Sequence, residues 1–188
     1  MLATNPQIPL PKKKPVKNQR AVVFSIFVGL FTASYYIGSL MEVSEEDALI
    51  FMEEFEELIE DIDGFGIFFH NAFIAIVMFV PGLGVGWGLF SAFQTGQAFA
   101  AIATITPEIA DIPSLSLLYL SPFGLMELVA YSLGISRSYL LIYKVIKKIS
   151  IRPDYKITAI EIGIVMGLLL SGGFLEAYLI DTLEEPLL

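Results

Sequence analysis

The sequence predicts an all-α integral membrane protein: a polytopic transmembrane helix bundle of about five spans, with one extracytoplasmic amphipathic acidic helix. Three observations predict this class. Hydrophobic residues make up 55% of the 188 residues, and the mean hydropathy is +0.71. Charged residues make up only 16%, whereas about a quarter of the residues of a soluble domain are charged. The charges are also clustered, so that residues 65–106 contain no Asp, Glu, Lys or Arg.

The chain begins with a polar segment followed by an apolar run. Residues 1–20 are rich in proline and lysine, and we expect them to form a basic cytoplasmic tail. Residues 21–41 are long enough for a first span, because about 20 residues at 1.5 Å each cover the ~30 Å hydrocarbon core. We expect a retained helix rather than a cleaved signal peptide, whose apolar region has only about 7 to 15 residues.

Residues 44–63 have the pattern of an amphipathic helix outside the bilayer. Ser44 is a favourable N-cap, and Asp47 stands at the third helical position, as in a capping box. Apolar side chains recur at helical spacing, while the other faces are acidic and carry no Lys or Arg. Gly64 is expected to end this helix. The acidic residues lack the spacing of a calcium-binding loop, so we expect a solvated face.

The remaining apolar sequence divides into four further spans. Residues 65–105 are too long for one crossing and are interrupted near the middle by a helix break. The break consists of Pro81, Gly82, Gly84 and Gly86. The predicted spans are 65–83, 86–105, 117–139 and 157–180. Residues 181–188 are expected to form a short acidic tail outside the membrane.

The distribution of charge predicts the orientation. With five spans and a cytoplasmic N-terminus, the basic loop 144–156 lies inside, and the acidic residues of loop 106–116 lie outside, as does the C-terminus. Cytoplasmic loops of membrane proteins carry an excess of Lys and Arg. Four or six spans would place one basic cluster outside. We therefore expect a multi-pass protein with a cytoplasmic N-terminus.

Several polar residues fall inside predicted spans and are candidate site residues. Such groups are costly in a bilayer and usually face the bundle interior. The candidates for an intramembrane polar cluster are His70, Asn71, Gln97, Glu127 and Glu176. We expect His70 to join Glu127 or Glu176 in the outer half of the bundle, and Arg137 to pair with Glu161 at inner depth. The alternative role is structural, because interhelical hydrogen bonds in membranes contribute about 0.6 to 2 kcal/mol each.

Small residues four apart predict close helix contacts in two spans. They are Ala130, Gly134 and Ser138 in the fourth span, and Gly163, Gly167 and Ser171 in the fifth. We expect these faces to pack within one chain rather than to form a dimer seam.

The residues indicate a function without catalysis. The chain has no cysteine and one histidine, which excludes thiolate chemistry and disfavours a metal site, and no catalytic motif is visible. We expect no enzyme activity and no cofactor.

The basic residues form short juxtamembrane clusters that suit anionic headgroups better than nucleic acid. The expected partners are the lipid bilayer, other membrane proteins and further copies of the chain. We expect a component or scaffold of a membrane complex. The alternative is a small permease in which His70, Asn71, Glu127 and the helix break line a path.

Three segments resemble the stage II sporulation protein M family over residues 21–180. They are Phe69-His70-Asn71-Ala72 with the glycine-broken turn and Gly96-Gln97, then Ser121-Pro122-Phe123-Gly124-Leu125-Met126-Glu127-Leu128, and Gly173-Phe174-Leu175-Glu176-Ala177-Tyr178. Phe123 stands where the family usually has a histidine. The resemblance implies a multi-pass protein of the inner or plasma membrane, and we expect the plasma membrane as the location. Family members in spore formers act in a membrane complex, while others occur in organisms that do not sporulate, so it does not imply sporulation.

Overall fold

The computed structural model describes residues 19–59 and 63–184, and confirms the predicted all-α class for them. Its helices are α1 Gln19–Ser39, α2 Glu45–Ile59, α3 Gly64–Met78, α4 Leu83–Ile105, α5 Pro107–Ala110, α6 Ser114–Leu120, α7 Pro122–Ile146 and α8 Tyr155–Glu184. A 3₁₀ turn, Arg152–Asp154, precedes α8. The predicted basic tail up to residue 18, residues 60–62 of the predicted acidic helix, and residues 185–188 lie outside the described residues.

Three helical segments are long and apolar enough to cross a membrane. They are Gln19–Ser39, Pro122–Ile146 and Arg152–Ile180. α3 is apolar but has only 15 residues. α4 has 23 residues without a charge, but it contains two glutamines and four glycines. The protein is therefore membrane-embedded, with these three helices as the candidate spans.

The bundle contains five helices that run alternately between its two ends, namely α1, α3, α4, α7 and α8. The start of α1, the end of α7 and the start of α8 meet, because Arg20 and Arg137 both bond to Glu161. Gly64, at the start of α3, packs against Phe174 near the far end of α8. All seven Lys and Arg of the described residues belong to the first end, which we call the basic end. The other end, which α2 and α5 adjoin, we call the acidic end.

The turn between α3 and α4 is shorter than predicted. It comprises residues 79–82, whereas Gly84 and Gly86 lie inside α4. The prediction that they belong to the break is therefore wrong. Gly82 alone has the positive φ of 85° that ends the helical path, a conformation open to glycine. Gly84 is needed for packing instead, because a Cβ there would overlap the carbonyl oxygen of Met78.

A serine of α7 satisfies the backbone of this turn. The Gly82 N–H donates to Ser138 Oγ at 3.0 Å, and the Ser138 hydroxyl donates to the Val80 carbonyl at 2.6 Å. Non-helical backbone in a membrane protein must find such partners, because lipid offers none. Ser138 is fully buried, and its two hydrogen bonds hold the turn against α7.

Ser44 caps the start of α2, but the predicted stop at Gly64 is wrong. The Asp47 N–H donates to Ser44 Oγ at 3.1 Å, and the Ser44 hydroxyl donates to the Asp47 carboxylate at 2.6 Å. Gly64 is the first residue of α3 rather than a stop, and Asp63 caps α3 by accepting from the Gly66 N–H at 2.8 Å. α2 packs on α4, with Ala48 fully buried.

The predicted fourth span also divides differently. Ser121 ends α6 and caps α7, since its side chain accepts from the Gly124 N–H and Pro122 occupies the first turn. Proline is favoured at that position because its missing N–H has no partner there. α7 then continues to Ile146, beyond the predicted limit at 139, and α8 continues through residues 181–184 of the predicted tail.

Glycine contacts hold α1 against α4, the most extensive helix pair. A Cβ at Gly96 would overlap the Tyr35 carbonyl oxygen, and one at Gly38 would overlap that of Phe93. Helices in membranes approach this closely only where small residues leave room. The interior beside this contact is aromatic, with Phe31 of α1 stacked on Tyr131 of α7 at 5.8 Å between ring centroids.

Candidate functional site

One candidate site is a polar cluster formed by Asn71, Glu127 and Glu176, here called the Asn71 cluster. Asn71 of α3 donates from Nδ2 to Glu127 Oε1 at 2.7 Å, across to α7. Glu176 of α8 lies within range of an electrostatic interaction with Glu127, but among the described residues no hydrogen bond joins it to Asn71 or Glu127. All three side chains are partly buried. The structure thus brings together three of the predicted site residues from three different helices.

His70 and Gln97 do not join this cluster. His70 is exposed, and the buried side of α3 is formed by Ile67, Ala75 and Met78, with Asn71 at the same helical spacing. The expectation that His70 pairs with a glutamate is therefore wrong, because one residue along a helix turns the side chain by about 100°. Within the described residues, neither His70 nor Gln97 forms a hydrogen bond to Glu127.

The Asn71 cluster can join helices and can exchange a proton. Two carboxyl groups and an amide offer acceptors for a proton or a cation. No group of three or more ligating side chains among the described residues could hold a metal ion. A groove of about 730 Å³ lies elsewhere, at the acidic end between α1, α4 and residues 110–115, and no member of the cluster lines it.

The second polar site is a buried ion pair at the basic end. Arg137 of α7 is 3% exposed, and its Nε donates to Glu161 Oε2 at 2.6 Å. A second bond runs from Arg137 Nη2 to Glu161 Oε1 at 2.8 Å. The predicted pairing of these residues is confirmed. Glu161 is 7% exposed, so it does not extend to water as a residue near an interface usually does.

This pair is the centre of a larger network, here called the ion network. Arg20 of α1 donates from Nε to Glu161 Oε1 at 2.8 Å and from Nη1 to Ser136 Oγ at 2.6 Å. Lys144 bonds to both carboxylate oxygens of Asp154, at 2.7 and 2.6 Å. Arg137 Nη1 lies 3.6 Å from the same carboxylate and connects the two halves.

The ion network joins α1, α7, the 3₁₀ turn and α8 at one level. Removing charges from water is costly, and a buried pair is tolerated only when the remaining hydrogen-bonding groups are satisfied. Each carboxylate here meets two cations. Sequence reasoning missed Arg20, assigned to the tail, and Asp154. Asp154 is the one acidic residue in the basic loop 144–156, and that isolation could have indicated a pairing with a nearby cation.

The two small-residue faces have different environments. Ala130, Gly134 and Ser138 of α7 are buried within the chain, as predicted. Gly163, Gly167 and Ser171 of α8 are exposed, and a Cβ at either glycine would meet nothing within 4 Å. The prediction that both faces pack within one chain is wrong for α8.

The comparisons with known proteins assign no family to this all-α membrane protein. No family model matches the chain, and neither a curated protein nor a solved structure matches it significantly. The resemblance to the stage II sporulation protein M family stays a prediction.

Proposed function

We propose that the protein is a non-catalytic component of a membrane protein complex, and that it docks to its partner through the outward face of α8. The observation that carries this proposal is an uncovered row of small residues on α8, here called the ridge, formed by Gly163, Gly167 and Ser171. The resemblance to a family with members in a membrane complex agrees with this role.

The composition of the ridge favours protein over lipid as its neighbour. Each glycine in a helix costs about 1 kcal/mol relative to alanine. Contact with lipid does not offset that cost, whereas a second helix can approach closely across small side chains and gain packing interactions. Ile160, Ile164 and Phe174 flank the ridge and are 52%, 49% and 46% exposed, so they provide apolar contact area on the same face.

The helix directions and the charge distribution support five spans with a cytoplasmic N-terminus. α1, α4 and α8 run from the basic end, while α3 and α7 run towards it. Placing the basic end in the cytoplasm satisfies the positive-inside rule and leaves α2 and the C-terminus outside. α3 spans only about 22 Å as a helix, but it packs against α4, α7 and α8, which shelter its ends. The plasma membrane is the expected location.

The experiment is purification from native membranes in a lipid-retaining disc, with mass analysis of what co-purifies. We compare the wild type with the double variant Gly163→Leu, Gly167→Leu. The matched control is Gly29→Leu on α1, which is also exposed and has nothing within 4 Å of a Cβ. A stoichiometric partner that is lost in the α8 variant and kept in the control supports the proposal. Partner recovery equal in all three proteins refutes docking through α8.

The second candidate function is a small permease, and the Asn71 cluster is the observation that favours it. A carboxyl group that is hydrogen-bonded across two helices has the chemistry of an ion or proton site. Glu127→Gln should then abolish flux into liposomes while the protein remains folded. A scaffold should show no flux to lose, and the same change should alter only stability.

A further inference from the structure

We propose that residues 147–156 form a binding surface for anionic lipid headgroups. The surface consists of Lys147, Lys148, Arg152 and Lys156, and is here called the basic surface. It lies between α7 and α8, two helices able to cross a membrane, and therefore lies where headgroups meet the protein. This inference does not depend on the docking function proposed for α8.

The four cations of the basic surface are available for an external anion. All four are exposed. The one acidic residue in this stretch, Asp154, is 9% exposed and is turned inward to Lys144 and Arg137. No acidic side chain in the described ranges 19–59 and 63–184 forms a salt bridge with any of the four. The surface thus presents positive charge without local compensation.

The fold holds this surface in a defined shape. Lys148 has a φ of 56°, and the Ile149 N–H donates to the Lys144 carbonyl at 2.8 Å, which closes the end of α7. The Asp154 N–H donates to the Ile151 carbonyl at 2.9 Å, and its carboxylate is fixed by Lys144. A surface ordered in advance loses less freedom on binding than a flexible loop would.

Apolar side chains beside the cations indicate a bilayer rather than nucleic acid or a soluble anion. Ile146 is 70% exposed, Ile149 is 51% exposed and Tyr155 is 61% exposed. Isoleucine next to lysine is suited to the boundary between headgroups and acyl chains, and tyrosine is enriched at the same level. A polyanion in water offers no apolar surface for Ile149 to enter.

The test is a titration of the full-length protein in neutral detergent with phosphatidylglycerol, with phosphatidylcholine as the neutral comparison. The quadruple variant Lys147→Gln, Lys148→Gln, Arg152→Gln, Lys156→Gln should weaken phosphatidylglycerol binding, by about fivefold for each cation near the lipid phosphate. Replacing the three lysines by arginine, which keeps the charge, should leave binding within about twofold of wild type. Ile149→Ser should weaken binding without any loss of charge.

Two results would overturn the proposal. One is phosphatidylglycerol binding that is unchanged in the quadruple glutamine variant. The other is tight binding of a single-stranded oligonucleotide that Ile149→Ser does not affect, without preference for phosphatidylglycerol over phosphatidylcholine. If the quadruple variant misfolds, as judged from helix content, the single variants Lys147→Gln and Lys156→Gln carry the test.

Discussion

Replacing Glu161 by glutamine should destabilise the protein strongly. The carboxylate accepts three charged hydrogen bonds, one from Arg20 and two from Arg137. After the change, the buried Arg137 retains only the carboxylate of Asp154, 3.6 Å away. Leaving one partner of a buried pair without its counter-charge costs about 3 to 5 kcal/mol. We therefore expect a loss of about 4 kcal/mol in the free energy of unfolding.

The same change at Arg20 should be much milder. The Arg20 side chain is 29% exposed, so water screens and partly replaces its bond to Glu161. Exposed ion pairs contribute at most about 1 kcal/mol. Arg20→Gln should therefore cost about 1 kcal/mol, and the difference between the two variants tests whether burial determines the contribution of each bond.

The decisive assay is a double-mutant cycle at Arg137 and Glu161, in which the free energy of unfolding of each variant is measured in mixed micelles. Arg137→Met and Glu161→Gln together should cost less than the sum of the single changes, by about 2 kcal/mol, because contacting residues couple by 0.5 to 3 kcal/mol. Exchanging the two charges is a poorer test, since it would place a carboxylate beside Asp154 and a second guanidinium beside Arg20. Additivity within about 0.5 kcal/mol would refute the buried pair.

Three further changes have outcomes that follow from single contacts. Ser138→Ala should cost about 1 to 3 kcal/mol of unfolding free energy, because the α3–α4 turn loses both of its hydrogen bonds to α7. Gly96→Ala should lower the thermal midpoint by forcing α1 away from α4, whereas Gly29→Ala, with nothing within 4 Å, should leave it unchanged or raise it. Asn71→Leu should change stability in the same unfolding assay by about 1 kcal/mol or more, because it removes the bond to α7, whereas His70→Leu on the exposed face should not. Equal effects within either pair of variants would contradict the assigned contacts.

The sequence predicted those features that depend on local pattern. The N-cap at Ser44 needs only a serine before the helix, and the Asp47 N–H donates to its hydroxyl as expected. The Arg137–Glu161 pair was predicted because opposite charges at matched depth in a bilayer have few alternatives to pairing. The all-α class follows from long uncharged runs, in which helices satisfy the backbone internally.

The features that sequence reasoning missed depend on rotation and packing. His70 and Asn71 are adjacent in the chain, and only the position of α3 against α8 and α7 decides which of them faces inward. Gly84 is a residue type that often breaks helices, but here it lies inside α4 and allows close contact with the Met78 carbonyl oxygen. The ridge of α8 has the same spacing as the face of α7, yet only the latter is covered. Spacing identifies a surface suited to close approach, but it does not identify the partner.

The seven cations of the basic end divide into two groups with separable roles. Arg20, Arg137 and Lys144 are paired with carboxylates, so they act on the stability of the chain. The cations of the basic surface are exposed and form no salt bridge within the part of the chain that the structure describes, so they can bind an external anion. Salt screens exposed charges over about 10 Å at 0.1 M and affects buried pairs far less. Raising the salt concentration should therefore release anionic lipid while the unfolding midpoint stays nearly constant. A fall in both together would mean that the lipid, rather than the ion network, holds the three helices at this end.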